Sequence, residues 1–69
     1  MDQGATYRIE EVVGTSSESV EQAIASGVAD AGAPGRKLDW FEVREVRGQI
    51  AEGKVAWYQV RMGVGYRQE

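Results

Sequence analysis

The clearest pattern in the chain is a regular alternation of apolar and polar residues near its C-terminal end. Within Val55–Tyr66 the apolar side chains recur at every second position: Tyr58, Val60, Met62, Val64 and Tyr66. Successive side chains of a strand point to opposite faces of its sheet, so this spacing predicts a β-strand with one buried face. The segment is predicted to be the third strand and to carry much of the core.

A second strand is predicted over Leu38–Ile50, immediately before the third. Its apolar positions fall in two phases, with Phe41 and Val43 on one parity and Val46 and Ile50 on the other. This change of phase predicts a β-bulge near Arg44 or Glu45, or a strand that is buried on both sides. The intervening segment 51–54 contains a glycine, which suits the positive φ of a hairpin turn. The two strands are therefore expected to be antiparallel neighbours.

The N-terminal half predicts one further strand. Tyr7–Val13 is rich in aromatic and β-branched residues and places Tyr7, Ile9 and Val13 on one parity. Glu11 interrupts the alternation, and Gly14 is expected to end the strand.

A helix is predicted after this strand, because apolar residues then recur at helical intervals. They are Val20, Ala23, Ile24, Val28 and Ala31. Thr15 has capping-box spacing to Glu18, and Ser16 is an equally good N-cap. Gly27 either permits the close approach of a strand or is merely tolerated in the helix. The segment 32–35, Gly-Ala-Pro-Gly, is expected to end the helix.

These elements predict an α+β protein with the order β-α-β-β and a three-stranded antiparallel sheet. A chain of 69 residues is expected to form a single domain, 1–69. A monomer of this size buries only about 60% of its unfolded surface. The chain contains no Cys, which excludes disulfides, so oligomerisation is the expected source of additional stability.

Composition also narrows the function. The absence of His removes the commonest metal ligand and general base, and no metal site or catalytic residue is predicted. Glu42, Glu45 and Glu52 are read as solvated carboxylates, and Gly63-Val64-Gly65 has no following helix to form a dinucleotide-binding turn. A net charge of −3 argues against a nucleic-acid partner. No long apolar run predicts a membrane span, and a cytoplasmic protein is expected.

Two residues carry side chains that suit a planar heteroaromatic ligand. Trp40 offers an electron-rich indole for stacking, and Gln59 offers an amide with one acceptor and an NH2 donor. Each also has an ordinary explanation, as a core tryptophan and as a solvated strand glutamine. Adjacent Phe41 points to the other side of the strand and is expected to serve the core better than Trp40. Trp57, on the face of Gln59, is expected to be buried between chains or to remain a lone exposed aromatic.

The order and spacing of several motifs along nearly the whole chain resemble the dodecin family of small flavin-binding proteins. The motifs are Val13-Gly14-Thr15-Ser16, Leu38-Asp39-Trp40-Phe41-Glu42-Val43, Glu45-Val46-Arg47-Gly48, Gly53-Lys54-Val55-Ala56, Tyr58-Gln59-Val60 and Val64-Gly65-Tyr66-Arg67. The chain differs from the family pattern at its helix end (32–35), at Trp57, which replaces a polar or variable residue, and at Tyr66, where Phe is more frequent.

The resemblance implies a protomer whose sheet wraps around its helix, assembled as a hollow homododecamer that stores flavin. Flavins of this family bind in pairs at two-fold axes, stacked between tryptophans of symmetry-related chains. By position, Trp40 is then the stacking residue and Gln59 the residue that binds the flavin edge. Arg47 is implied to lie near the flavin, with a surface ion pair to Glu45 or another carboxylate as its alternative. Arg67 falls where some members contact coenzyme A, although it also suits a simple solvated charge.

Hairpin counting adds a geometric prediction to this resemblance. If the turn lies near residues 52–53, Trp40 is opposite Gly65, and Gln59 is opposite Val46. The two candidates are then separated by about 20 Å along the sheet, because a strand rises about 3.4 Å per residue. One flavin is therefore expected to contact Trp40 and Gln59 of different protomers.

The expected function is storage of flavin with suppression of its photochemistry, and no enzymatic activity is predicted. FMN is the preferred ligand, and riboflavin and FAD remain alternatives because they share the same ring. The rival interpretation is a small homo-oligomeric structural or interaction module that binds no cofactor.

Overall fold

The computed structural model describes residues 6–32, 34 and 36–68, and it confirms the predicted β-α-β-β order. The elements are β1 (Tyr7–Ser16), α1 (Val20–Ala31), β2 (Arg36–Ala51) and β3 (Lys54–Gln68). All strands pair antiparallel in one sheet with the order β1-β3-β2, so β3 is the central strand. The 12-residue helix is too short to cross a lipid bilayer.

The hairpin between β2 and β3 turns at Glu52 and Gly53, as predicted. Both residues have positive φ angles, of 55° and 75°. Two consecutive positive φ values produce the turn twist that matches the right-handed twist of the flanking strands. The adjacent strands are consequently long, at 16 and 15 residues.

The core lies between the helix and the predicted face of β3. Val60, Met62 and Val64 are almost fully buried there together with Ala23 and Ala31 of the helix. The other apolar residues of the helix are partly buried against this cluster, as are Val12, Leu38 and Tyr58. The alternation on β3 and the helical stripe therefore identified the core correctly.

Strand β1 and the helix approach each other at two glycines. A Cβ added at Gly14 would lie 2.9 Å from the backbone N of Gly27, and closer still to the carbonyl oxygen of Ala23. A Cβ at Gly27 would lie 2.6 Å from Cε of Met62. The prediction that Gly27 permits close approach of a strand is confirmed. The prediction that Gly14 ends β1 is wrong, because β1 continues to Ser16.

The helix N-cap is Ser19 and not Thr15 or Ser16. The Ser19 Oγ accepts a hydrogen bond of 3.0 Å from the backbone N–H of Gln22. The Ser16 Oγ accepts from the N–H of Glu18 at 2.9 Å and stabilises the turn before the helix instead. Because Ser16 is still paired with Tyr58 in the sheet, the chain cannot begin the helix earlier.

The C-terminal end of the helix is joined to the start of β2 by Arg36. Its guanidinium donates a 3.1 Å hydrogen bond to the carbonyl oxygen of Ala31, which the helix itself leaves without a partner. It also forms an ion pair with Glu10 of β1 and lies 4.4 Å from the ring centroid of Tyr66. Gly32 is the helix C-cap, whereas residues 33 and 35 of the predicted stop lie outside the described residues.

The protomer is elongated, because the helix packs against β1 and β3 and leaves most of β2 uncovered. Its extents are 55 × 20 × 14 Å, and its radius of gyration of 14.5 Å exceeds the value of about 11 Å expected for a compact chain of this length. Phe41, predicted to serve the core, is 48% exposed. It shares the face of its partner Val64, but the helix does not extend over it.

Candidate functional site

The side of the sheet that faces away from the helix is called here the open face. Its positions follow from the strand register and from the alternation of side chains. They are Tyr7, Ile9, Glu11, Val13 and Thr15 on β1; Lys37, Trp40, Glu42, Arg44, Glu45, Arg47 and Gln49 on β2; and Trp57, Gln59, Arg61, Gly63, Gly65 and Arg67 on β3. Trp40, Gln59, Arg47 and Arg67, the four predicted ligand contacts, all belong to this face.

One end of the open face is aromatic. Trp40 pairs with Gly65, and its indole lies directly over that glycine: an added Cβ would be 2.6 Å from Cδ2 and closer still to Cε2 and Cζ2. The ring of Tyr7 lies beside it, with the centroids 5.3 Å apart and the planes inclined by 48°. Trp40 remains 42% exposed. The indole is therefore supported from the sheet side and accessible to another planar ring from outside.

The opposite part of the open face is polar. Gln59 pairs with Arg47 on one side and with Thr15 on the other, so three hydrogen-bonding side chains form one row across the sheet. Gln59 is half-buried, and Arg47 is exposed. The predicted alternative for Arg47 was an ion pair with Glu45 or another carboxylate, and Glu45 pairs with Arg61 instead. Among the described residues Arg47 has no ion-pair partner, so its guanidinium is available to a ligand.

The residue of β2 opposite Gln59 is Arg47, one position away from the predicted Val46. Counted from the turn, the register between β2 and β3 shifts at Gln49/Ile50, again at Val43/Glu45, and a third time beyond Trp40, at Leu38/Trp40. The first shift brings Arg47 opposite Gln59, and the second restores the predicted pairing of Trp40 with Gly65. The second shift also confirms the predicted bulge, whereas the first was not foreseen.

An ion-pair cluster separates the aromatic end from the polar row. Arg44 bonds Glu11 at 2.9 Å and Glu42 at 3.0 Å, and Arg61 lies 3.5 Å from Glu11 and 3.6 Å from Glu45. The hydrogen bond that Arg44 donates to Glu11 has the largest effect and raises the pKa of Arg44. Desolvation opposes it, and the charges of Glu42 and Glu11 raise the pKa further. Glu42 and Glu45 are therefore ion-pair partners in this cluster.

The two ends of the open face are far apart in one protomer. Gly65 beneath Trp40 and Gln59 are six positions apart on β3 (65 − 59), which corresponds to about 20 Å. A three-ring system does not span this distance, and the ion-pair cluster occupies the surface between the two ends. The structure thus places Trp40 with Tyr7 and Gln59 with Arg47, but it does not bring the two pairs together.

Arg67 lies at the aromatic end. It is half-buried on β3 and pairs with Tyr7 on one side and Lys37 on the other. Sequence reasoning missed Tyr7 and Thr15 as neighbours of the candidate site. The parity of Tyr7 was visible in the sequence, but the register of β1 against β3 was not. The described residues contain no cluster of acidic side chains arranged to hold a metal ion.

The fold and this face define a class of small β-α-β-β proteins that present an indole, an amide and a guanidinium along one long hairpin. A sequence model of the dodecin family matches residues 6–69. The chain is 50% identical over 66 residues to the dodecin of Thermus thermophilus, covering 96% of both chains. The chain therefore belongs to the dodecin family. At the level of the family, this membership supports a flavin-binding protein that is assembled from copies of one chain.

Solved structures of relatives have the same fold. The dodecin from Streptomyces coelicolor is 51% identical, with a TM-score of 0.89 and coverage of 99% of this chain and 97% of that chain. The dodecin from Streptomyces davaonensis is 49% identical, with a TM-score of 0.88 and coverage of 97% and 98%. The predicted protomer fold is thereby confirmed.

Proposed function

We propose that this protein stores FMN, stacked on Trp40 where protomers of a homododecamer meet, and suppresses the photochemistry of the bound ring. The observation that supports this proposal is the geometry of Trp40. Its indole lies over Gly65 and the residue remains 42% exposed, which suits offset stacking with a large, electron-poor isoalloxazine. Electron transfer from the indole would relax the excited flavin before it reacts.

Gln59 and Arg47 are proposed to bind the same flavin from a different protomer. The amide of Gln59 can pair with the N3–H and a carbonyl of the pyrimidine edge, because it offers both an acceptor and a donor. The guanidinium of Arg47, which has no ion-pair partner within the described ranges, is directly opposite and can form charge-assisted bonds with flavin carbonyls or phosphate oxygens. The separation of about 20 Å within one chain supports the assignment of the two halves to different protomers.

The apolar surface of the protomer supports assembly. Phe41, Val43 and Val46 are 42–51% exposed on the helix side of β2, and Ile50, Val55 and Trp57 are 47–74% exposed near the hairpin turn. Apolar surface distributed over both sides of an elongated strand pair is typical of an interface rather than of an isolated monomer. Copies of the same chain are the partner that the family supports.

A contact of Arg67 with coenzyme A is a secondary part of the proposal. Arg67 and Lys37 are paired cationic residues next to the aromatic end, and phosphate groups are bound by such residues. Titration with coenzyme A, followed by calorimetry, tests the assignment. Arg67→Ala should weaken binding, and equal affinities of the parent and the variant would reject the contact.

The experiment that tests the main proposal compares the two tryptophans of the open face. Trp40→Ala should weaken FMN binding roughly 5- to 150-fold, because stacking on an aromatic contributes about 1–3 kcal/mol. Trp57→Phe is the matched control, because it removes the second indole and keeps an apolar ring at the proposed interface, and it should retain the parent affinity. Fluorescence titration measures binding and quenching together, and native mass measurement verifies that both variants assemble as the parent does.

Three outcomes would contradict the proposal. If parent protein neither binds FMN nor changes its emission, the interaction-module interpretation replaces storage. If FMN binds and Trp40→Ala leaves affinity and quenching unaltered, the flavin is bound elsewhere. A monomeric parent protein would exclude a site that is divided between protomers.

A further inference from the structure

Tyr7 is the aromatic neighbour of Trp40, although the two residues are on different strands. Tyr7 is on β1 and Trp40 is on β2, and both flank the central strand at Arg67 and Gly65. The ring centroids are 5.3 Å apart with planes inclined by 48°, which lies within the range of attractive aromatic pairs. Tyr7 is 42% exposed and therefore contributes little to the core.

We propose that Tyr7 is a positioning residue that fixes the orientation of the Trp40 indole before the flavin binds. The inference rests on the proposed role of Trp40 in flavin stacking. Gly65 leaves the space into which the indole fits, but a glycine has no side chain that restricts rotation of the ring. Tyr7 supplies that restriction from the side, so a single orientation of Trp40 is maintained in the free protein.

The consequence for binding is one of preorganisation. A half-exposed tryptophan on a strand has several staggered rotamers, and restricting it during binding has an entropic cost. A site whose aromatic ring is already oriented avoids that cost. Within the described part of the chain, the Tyr7 hydroxyl makes no hydrogen bond, so the ring is the group that acts.

The test uses the assembled protein carrying Trp57→Phe, so that Trp40 is the sole tryptophan. Tyr7→Leu removes the aromatic ring, Tyr7→Phe retains it, and Val13→Ala is a control on the same strand and face. Near-UV circular dichroism and acrylamide quenching report the immobilisation of Trp40 without ligand. FMN titration then measures affinity for the same four proteins.

Tyr7→Leu should lose the tryptophan band of the dichroism spectrum, increase acrylamide quenching and weaken FMN binding about two- to tenfold. Tyr7→Phe and Val13→Ala should match the Trp57→Phe background in all three measurements. If Tyr7→Leu loses the tryptophan signal and the FMN affinity while Tyr7→Phe keeps both, the aromatic ring positions Trp40. A merely structural residue would not alter the tryptophan signal selectively.

Two results would overturn the inference, and a third would reject the proposed function on which it rests. Unchanged dichroism and quenching in Tyr7→Leu would show that Tyr7 does not hold the indole. Altered spectra with unchanged FMN affinity, in a protein where Trp40→Ala does weaken binding, would show that the orientation is irrelevant to binding. If Trp40→Ala also leaves FMN binding intact, the proposed stacking itself fails. The spectra of the free protein would still show whether Tyr7 orients Trp40.

Discussion

Replacing Gly65 by Ala is expected to displace Trp40 while leaving the fold intact. A Cβ at this position would lie 2.6 Å from Cδ2 of the indole and closer still to two other ring atoms. Carbon atoms in favourable contact are about 3.5–4.0 Å apart, so the ring must move outward by at least about 1 Å. Its orientation relative to Tyr7 and to a stacked ligand would change with it.

The effect on binding should exceed the effect on stability. Trp40 is 42% exposed and can move toward solvent, so we expect a loss of only about 1 kcal/mol in the free energy of unfolding, the low end of overpacking effects. A displaced indole loses part of a stacking interaction of about 1–3 kcal/mol. We therefore expect FMN affinity to fall roughly tenfold, which corresponds to about 1.4 kcal/mol.

Gly63→Ala is the matched control, since Gly63 is buried on the same strand and face. A Cβ there would lie 2.5 Å from an Nη atom of Arg44 and 2.9 Å from Cγ2 of Ile9. The end of an arginine side chain can shift without moving Trp40. FMN fluorescence titration of both variants, at a protomer concentration where native mass measurement shows parent-like assembly, gives the comparison.

The reasoning would be refuted by equal FMN affinity in the Gly65→Ala variant and the parent. It would also be refuted if Gly63→Ala weakened binding as much as Gly65→Ala, because the effect would then arise from any added methyl group on β3.

Three further predictions concern the fold and the polar row. Gly14→Ala should destabilise the protein by about 1–3 kcal/mol in urea unfolding, because its methyl group would meet backbone atoms of the helix that cannot rotate away. Ser19→Ala should lower the free energy of unfolding by about 1 kcal/mol, because the helix loses its N-cap hydrogen bond. Arg47→Ala should weaken FMN binding more than riboflavin binding in parallel titrations, because only FMN carries a phosphate.

Each of these predictions has a control. Gly32→Ala, whose Cβ would be 3.6 Å from its nearest neighbour, should be tolerated where Gly14→Ala is not. Thr15→Ala should change helix stability by less than about 0.5 kcal/mol, and a larger loss than in Ser19→Ala would contradict the assigned cap. Lys54→Ala removes an exposed cation at the hairpin turn and should not discriminate between the two flavins. Unfolding is compared at one protomer concentration, because oligomer stability depends on it.

The spacing of apolar residues within each element predicted the parts of the fold that depend on burial. The alternation on β3 and the helical stripe ending at Ala31 each report one buried face, and both were confirmed. The N-cap could not be chosen locally, because Thr15, Ser16 and Ser19 are all suitable capping residues. Pairing of Ser16 with Tyr58 in the sheet decides in favour of Ser19, and that pairing depends on a distant strand.

The candidate site was predictable at the level of its two principal residues and less so in its surroundings. Counting back from the turn located Trp40 opposite Gly65 correctly. It misplaced the partner of Gln59, because the shift at Gln49/Ile50 lies between the turn and Gln59, and the shift at Val43/Glu45 reverses it before Trp40. Tyr7 lies beside Trp40 through the pairing of β1 with β3, and periodicity within β1 carries no information about that register.

The position of β3 in the middle of the sheet has a consequence for how the chain folds. Its pairing with β2 starts from a two-residue turn, and hairpins of this kind form within about 1–10 μs. Its pairing with β1 joins Tyr7 to Arg67, which are 60 residues apart in sequence (67 − 7), so a long loop must close first. We expect the hairpin to form early and β1 to dock last. Until then one edge of the central strand is open to other chains, at the stage when newly made copies are also assembling.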